Sequence, residues 1–398
     1  MTTTEPWLRA LADLLSRSHR LPPDQLTTSV DAALDGLGVT VTTYLADAEQ
    51  ESLRPLPEPD RPAPPPLPID TSLPGRAYTE VRVRAGQDGR LWVPMVDGTD
   101  RLGLLEILLP PGLDQADEAV RDGARLIAGL IGHLVTSKAA YADLLHRTRR
   151  SRPMAVSAEL LWQLLPPLTF ATDAVVVSAI LEPCYEVGGD AFDYSLNGPW
   201  VALVIMDGVG HGLPAVLTTS VALSALRAAR RAGGNLPDQA TAVDAAVRAQ
   251  WSDGRFVTAV VAELDTATGA LRYVNAGHPA PVVLRGGRAV RALTGGRRAP
   301  LGVSAGPTTV AEARLEPGDR LLLHTDGVTE ARDGAGEMFG LPRLVDLAER
   351  HIRSGLPAPE TLRRLNRAVA EHRGARSQDD ETIMLVEWSG EAAARSEP

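Results

Sequence analysis

Apolar residues follow two rhythms along this chain, and the change from one to the other sketches its domains. Over residues 7–15 the apolar positions (Trp7, Leu8, Leu11, Leu14, Leu15) recur at helical spacing, and 25–37 repeats the pattern with Leu26, Val30, Ala33, Leu34 and Leu37. A β-branched run at 39–45 follows Gly36 and Gly38 and predicts a strand. Further strands are predicted at 81–84, 91–96 and 102–109, with a long helix beginning near Asp114 behind an acidic first turn. Helices beside an antiparallel sheet predict a small α+β domain. The proline-rich run 55–68, with Pro64, Pro65 and Pro66 at its centre, lacks the N–H groups for regular structure and predicts an extended surface loop.

The helix from Asp114 carries Leu126, Ile127, Leu130, Ile131, Leu134, Tyr141, Leu144 and Leu145 at three- and four-residue spacing. This stripe predicts one continuous helix that pairs with its copy in a second subunit, a homodimer through connector helices. Pro153 breaks it. A second amphipathic helix is predicted over 155–165, stopped by Pro166 and Pro167. The expected divisions of the chain are therefore 1–135, a helical connector over 136–165, and 166–390.

Beyond Thr169 the rhythm is that of strands with tight turns: 174–181, 200–206, 256–264, 271–276, 282–284, 320–325 and 382–387, with helices at 213–232, 237–251, 341–353 and 359–372. A largely antiparallel sheet core covered by helices is expected. Its central stretch is Val201-Ala202-Leu203-Val204-Ile205-Met206-Asp207-Gly208-Val209-Gly210-His211-Gly212. Six successive apolar residues predict a strand buried on both faces, so Asp207 stands at the mouth of the core. Burying an unpaired carboxylate is costly, and a metal ion is the natural counter-charge. Gly208, Gly210 and Gly212 permit positive φ and close backbone approach. A glycine-rich turn with Asp207 capping the next helix accounts for this stretch equally well.

Composition narrows the classes. Hydrophobic content of 44% and charged content of 23% are those of a folded globular chain, and the net charge of −10 offers no basic field for nucleic acid. Neither a basic amphipathic helix nor a run of about 18 apolar residues appears, so no membrane contact is expected. Cys184 is the only cysteine, which excludes an internal disulfide and a cysteine-based zinc site and points to the cytoplasm. Lys138 is the sole lysine.

Four acidic clusters fall at strand ends: Glu186 to Asp190, Asp207 to His211, Asp326 after Leu321-Leu322-Leu323, and Asp379-Asp380 before Ile383-Met384-Leu385-Val386. Oxygen ligands without cysteine select hard cations such as Mg²⁺ or Mn²⁺, and two such ions sharing a carboxylate can hold a hydroxide and clamp a phosphoryl group. The motifs run in the order Val-Gly-Gly-Asp (187–190), Asp-Gly-Val-Gly-His-Gly (207–212), Phe-Val-Thr-Ala (256–259), Asn-Ala-Gly-His-Pro (275–279), Pro-Leu-Gly (300–302), Thr-Asp-Gly-Val-Thr-Glu (325–330) and Asp-Asp-Glu-Thr (379–382). Over about 155–388 this series resembles the PPM protein phosphatases, most closely the bacterial SpoIIE/RsbU type.

The resemblance implies an α-β-β-α sandwich and hydrolysis of phosphoserine or phosphothreonine in a protein by a water that two Mn²⁺ or Mg²⁺ ions activate. Asp207 would bridge the ions, with the Gly208 carbonyl on one of them. Asp326 and Asp379 would hold the other, Asp190 would sit in or beside the ligand set, and Glu186 is a weaker candidate acting through water. Eukaryotic-type members carry a histidine where this chain has Val209, which leaves the leaving-group acid unassigned. His211 is expected to order the turn, His278 and His324 to be structural, and Cys184 to be a small buried residue. Arg255 is a candidate for phosphate binding; Asp380 and Asp193 are either supporting or solvated. By analogy the substrate would be a phosphorylated STAS-type anti-sigma-factor antagonist.

At the N-terminal end Ser72-Leu73-Pro74-Gly75-Arg76-Ala77-Tyr78, Leu91-Trp92-Val93-Pro94-Met95 and Gly103-Leu104-Leu105-Glu106-Ile107 resemble a GAF domain, which implies a ligand or partner sensor. A thioether-linked bilin is excluded by the absence of cysteine there, and His19 and His133 are weak candidates for haem. Two other functions compete with the phosphatase. A pseudophosphatase that binds phosphoprotein without hydrolysis would lack a ligand aspartate, and none is missing. A metal-dependent nuclease would need a basic track.

Overall fold

The computed structural model describes residues 4–58, 61–182, 184–186, 188–303, 306–374 and 379–390. The chain forms two units that meet at Pro153 and Met154. That boundary falls inside the 136–165 stretch expected as a separate connector. Most of the tail beyond Ser389 lies outside the described residues.

In chain order the first unit comprises α1 (Thr4–Ser18), α2 (Leu26–Leu34), β1 (Thr40–Ala46), β2 (Ser52–Pro55), β3 (Leu67–Pro68), α3 (Leu73–Glu80), β4 (Arg84–Ala85), β5 (Arg90–Asp97), β6 (Asp100–Leu108), α4 (Glu118–Ala139) and α5 (Asp143–Thr148). The strands form one antiparallel sheet in the order β3-β2-β1-β6-β5-β4. Alternation along β5 separates its faces: Val93 joins the core built with Trp7, Leu14, Val30 and Ile127, whereas Trp92 packs with Tyr44 and Tyr78 on the opposite side. The proline-rich run is a hairpin connection, because Leu53 pairs with Leu67 and Ser52 with Pro68 on its two sides. Of the strand expected over 81–84, only Arg84 is in one, the two-residue β4. Ser72 caps a short helix by accepting from the Gly75 N–H at 3.0 Å, and Val81 ends it in a left-handed conformation (φ 50°).

The long helix expected from Asp114 through Leu145 is two helices. After α4 stops, Ala142 is extended, and the imidazole of His146 meets the Ala139 carbonyl at 2.8 Å. The break turns Ala142 and Leu145 back into the core, where Ile127, Ile131 and Leu134 already lie. Most of the stripe read as a dimer seam is therefore spent on the unit's own core; Leu126 and Tyr141 remain exposed. His19 is exposed and His133 sits 3.4 Å from Asp97 with its ring open to solvent, so neither is placed as a haem ligand inside a core.

The second unit runs α6 (Val156–Trp162), β7 (Thr169–Ala171), β8 (Val175–Glu182), β9 (Asp190–Asn197), β10 (Trp200–Gly208), α7 (Gly212–Arg231), α8 (Leu236–Gln250), β11 (Val257–Asp265), β12 (Ala270–Ala276), β13 (Val282–Arg285), β14 (Arg288–Ala292), β15 (Arg297–Arg298), β16 (Ala311–Arg314), β17 (Arg320–His324), α9 (Asp326–Glu330), α10 (Leu341–Arg353), α11 (Ala358–Arg373) and β18 (Glu381–Trp388). One sheet has the order β15-β12-β11-β10-β9 with β16 beside β12; the other is β14-β13-β17-β18-β8-β7.

Three cores stack through these layers. Val204 and Met206 pack with α6, α7 and α8; Leu203 and Ile205 meet Leu321, Leu323 and Met384 between the sheets; Leu322 and Leu385 pack under α10 and α11. This is an α-β-β-α sandwich, as the resemblance implied, and β10 is apolar from Val201 to Met206 because both of its faces are covered there. By length and composition α7 is apolar enough to span a membrane, which the search for an uninterrupted apolar run does not detect.

Candidate metal centre

The same alternation that sends Leu203 and Ile205 between the sheets sends Asp207 there too, at the point where the apolar filling ends. Asp207 lies opposite Asp190 of β9 on one side and Thr258 of β11 on the other. From the facing sheet, Thr325 at the end of β17 donates its hydroxyl to Asp190 Oδ2 at 2.7 Å, and itself accepts from the Thr382 N–H at 3.0 Å. Asp190 is 1% exposed. Asp207 is half-buried, and Asp326 and Asp379 stand more openly at the mouth.

Asp380 binds the first motif to the last. Its carboxylate accepts from the N–H of Gly188 at 2.7 Å and of Asp190 at 3.3 Å, so it is neither solvated nor incidental. A Cβ on Gly188 would lie 2.4 Å from Asp380 Oδ2, and one on Gly327 would lie 1.9 Å from the Asp380 carbonyl oxygen. Glycine is needed at both places for space. Gly208 is a similar case: a Cβ there would meet Thr219 Oγ1 at 2.3 Å, while its N–H donates to the Gly189 carbonyl at 3.0 Å. Of Gly208, Gly210 and Gly212, the last two have positive φ, and the helix that follows has His211 as its N-cap residue, so Asp207 does not act as a helix cap.

The electrostatics match this crowding. Burial, and then the charges of Asp326, Asp379 and Asp380, push Asp207 up to about 7. Burial raises Asp380 to about 6 against the pull of the Gly188 and Asp190 N–H groups. Asp190 is held well above the ordinary carboxylate range by burial and by Asp207 and Asp380. Partial burial, Asp326 and Glu330 raise Asp379, while His211 and the Asp380 N–H oppose them. Five carboxylates thus repel one another at the end of an otherwise apolar core, with oxygen donors only: the donor chemistry of a hard divalent cation. Among the described residues, however, no three His, Cys, Asp or Glu side chains converge as a ready-made ligand group.

The other candidates have definite places. His278 and His324 are buried, with the Thr258 hydroxyl and His278 Nδ1 hydrogen-bonded at 2.8 Å and His324 Nδ1 at 2.9 Å from the Thr325 carbonyl oxygen. Burial, with His324 nearby, lowers His278 to about 3, so this ring is neutral. Asp193 is held by Arg227 at 2.6 Å and Arg230 at 2.8 Å, an ion-pair anchor for α7. Arg255 donates to the Pro214 carbonyl at 2.9 Å and pairs with Asp253 at 3.0 Å. Cys184 is buried, Glu186 and His211 are exposed, and Val187 is outside the described residues. Sequence reasoning named Thr325 only as a motif position; its place one residue past β17, in step with Leu321 and Leu323, is the signal that it faces inward.

Residues 198–389 match the family model described as stage II sporulation protein E (SpoIIE). The chain is 26% identical to Protein IcfG of Synechocystis over 201 residues, 43% of this chain and 31% of that protein. It is 24% identical over 216 residues to the phosphoserine phosphatase RsbU of Bacillus subtilis, covering 54% and 63%. It thus covers less than two thirds of either relative. Among solved structures, that of the RsbU and RsbW domains of Rv1364c from Mycobacterium tuberculosis is 28% identical with a TM-score of 0.49, covering 55% of this chain and 60% of that one. Residues 198–389, the greater part of the C-terminal unit, thus match the SpoIIE family model, and the same unit carries the motif series that resembles the PPM phosphatases.

Proposed function

We propose that this chain is a Mg²⁺- or Mn²⁺-dependent protein serine/threonine phosphatase, with Asp190, Asp207, Asp326 and Asp379 and the Gly208 carbonyl holding two ions. The observation that carries the reading is the set of mutually repelling carboxylates at the end of the inter-sheet core. A bound divalent pair supplies Lewis acidity toward the phosphoryl group and lowers the pKa of water. The chain's own contribution is placement. Thr325 fixes Asp190, Asp380 locks the 188–190 loop, and Thr258 lies beside Asp207 in register. No side chain is required as a covalent nucleophile, and none of the buried histidines is placed to serve as one.

The proposed substrate is a phosphorylated regulatory protein of the STAS type, on the analogy of RsbU, a phosphoserine phosphatase by name. The N-terminal unit, with its own sheet and core, is proposed as a GAF-like sensor that controls the phosphatase in the cytoplasm. The absence of a ready-made ligand group among the described residues favours one second reading, a catalytically silent domain that binds phosphoprotein.

Hydrolysis of p-nitrophenyl phosphate and a phosphoserine peptide by the full chain separates the two. The expected result is turnover with Mn²⁺, none with EDTA, and a loss of at least about a hundredfold in Asp207→Asn. Phosphopeptide binding without turnover under all metal conditions would install the silent reading.

A further inference from the structure

α7 is more apolar than its buried face requires. Its 20 residues are apolar enough to cross a membrane, yet only 39% of that span is buried. Leu213 and Leu217, one turn apart at its start, are 41% and 43% exposed. Val209, two residues beyond Asp207, is 39% exposed, and Val303 is 53% exposed.

Hydrogen bonds tie the segments that carry these four residues to one another. The Val209 N–H donates to the Phe256 carbonyl at 3.1 Å, and Val257 and Leu301 exchange two hydrogen bonds of 2.8 Å. Arg255 reaches across to the Pro214 carbonyl, next to Leu213, and its own carbonyl oxygen lies 2.9 Å from where a Cβ on Gly302 would stand. The three segments 209–217, 255–257 and 301–303 thus form a continuous border that begins beside the aspartate cluster.

We propose that this rim, Val209, Leu213, Leu217 and Val303, is the docking surface for the phosphoprotein substrate and selects apolar side chains next to the phosphoresidue. The proposal rests on the phosphatase reading. Any protein that presents a phosphoresidue to Asp207 must lie across its border, so the occupant is the substrate itself. The aspartates and Glu330 repel an acidic partner, which leaves apolar contact as the adhesive on this side, with the Arg255 guanidinium anchored beside it.

The test uses the full chain and two phosphoserine peptides of equal charge, one with leucine and valine flanking the phosphoserine and one with serines instead. With Mn²⁺ the apolar peptide is expected to show about tenfold higher kcat/KM, the size of one buried aliphatic contact. In Leu217→Ser and in Val303→Ser that preference falls toward unity, while p-nitrophenyl phosphate turnover stays at the wild-type level. Fluorescence anisotropy with EDTA gives the same comparison without catalysis. Absence of turnover on every substrate by the wild type would sink the phosphatase reading, and the anisotropy preference would still decide the docking surface. Equal treatment of both peptides by the wild type overturns the proposal. So does a Leu217→Ser variant whose only change is its sedimentation, which would assign the rim to a second copy of this chain.

Discussion

A single hydroxyl carries much of the burden at the residue scale. Thr325 is fully buried, donates to Asp190 and accepts from the Thr382 N–H, linking the two sheets at the mouth. Thr325→Val keeps the shape and removes both bonds. It leaves a buried carboxylate without its donor and an N–H without its acceptor, a cost of about 1–3 kcal/mol each. Thermal melts should show the destabilisation, and calorimetric Mn²⁺ titration should show weaker binding, because Asp190 is no longer held. Unchanged values in both would mean that Asp190 is positioned by the backbone alone.

Among the elements, the α1–α4 pair of the first unit has a comparable single point of closure. Lys138 is 3% exposed, and its ammonium donates to the Ser18 carbonyl at the C-terminal end of α1 at 3.0 Å. The cation both satisfies an orphan carbonyl and opposes the negative end of the helix dipole. Lys138→Met preserves the apolar stem, so the expected loss is about 1–3 kcal/mol. It should appear as earlier unfolding of the N-terminal unit alone, with phosphatase turnover of the native protein unaltered. The break between α4 and α5 is an element-scale event as well: the helical stripe continues through it in sequence, and only the pull of Leu145 into the core bends the chain.

For the whole molecule, protonation and control by the N-terminal unit are the measurable quantities. Asp207, raised to about 7, holds its proton in the folded state over a range where the unfolded chain has released it. Its contribution to stability therefore falls as pH rises from the ordinary carboxylate value toward 7. His278, lowered by burial, acts in the opposite sense below its ordinary value, so a single pH series would mix the two. The difference between Asp207→Asn and wild type isolates the aspartate. In EDTA the two should melt together at or below the ordinary carboxylate value of about 4, and the variant should become steadily the more stable one as pH rises to about 7. Mn²⁺ should abolish that gain. The two units have separate cores, so residues 154–390 can be assayed against the full chain; equal turnover would count against control by residues 1–153.

Local pattern made much of this protein readable. The four long helices and most strands of the second unit are in the sequence because apolar spacing registers directly on one face or two. β14 and β16 escaped because every β14 residue is exposed, and β16 is half so, leaving no apolar alternation to detect. β9 escaped because its outer half is polar and open. At the site, the aspartates announced themselves as carboxylates beside core strands. Which of them is locked by Gly188, which by Thr325, and which is left to repel its neighbours did not show, because those partners lie 57 to 192 residues apart. The sequence alone determined the order of strands and helices and the chemical type of the donors, since both depend on neighbours in the chain. Tertiary structure alone decided where α4 ends, what Asp380 does and which face of α7 stays bare, since each depends on what packs against it.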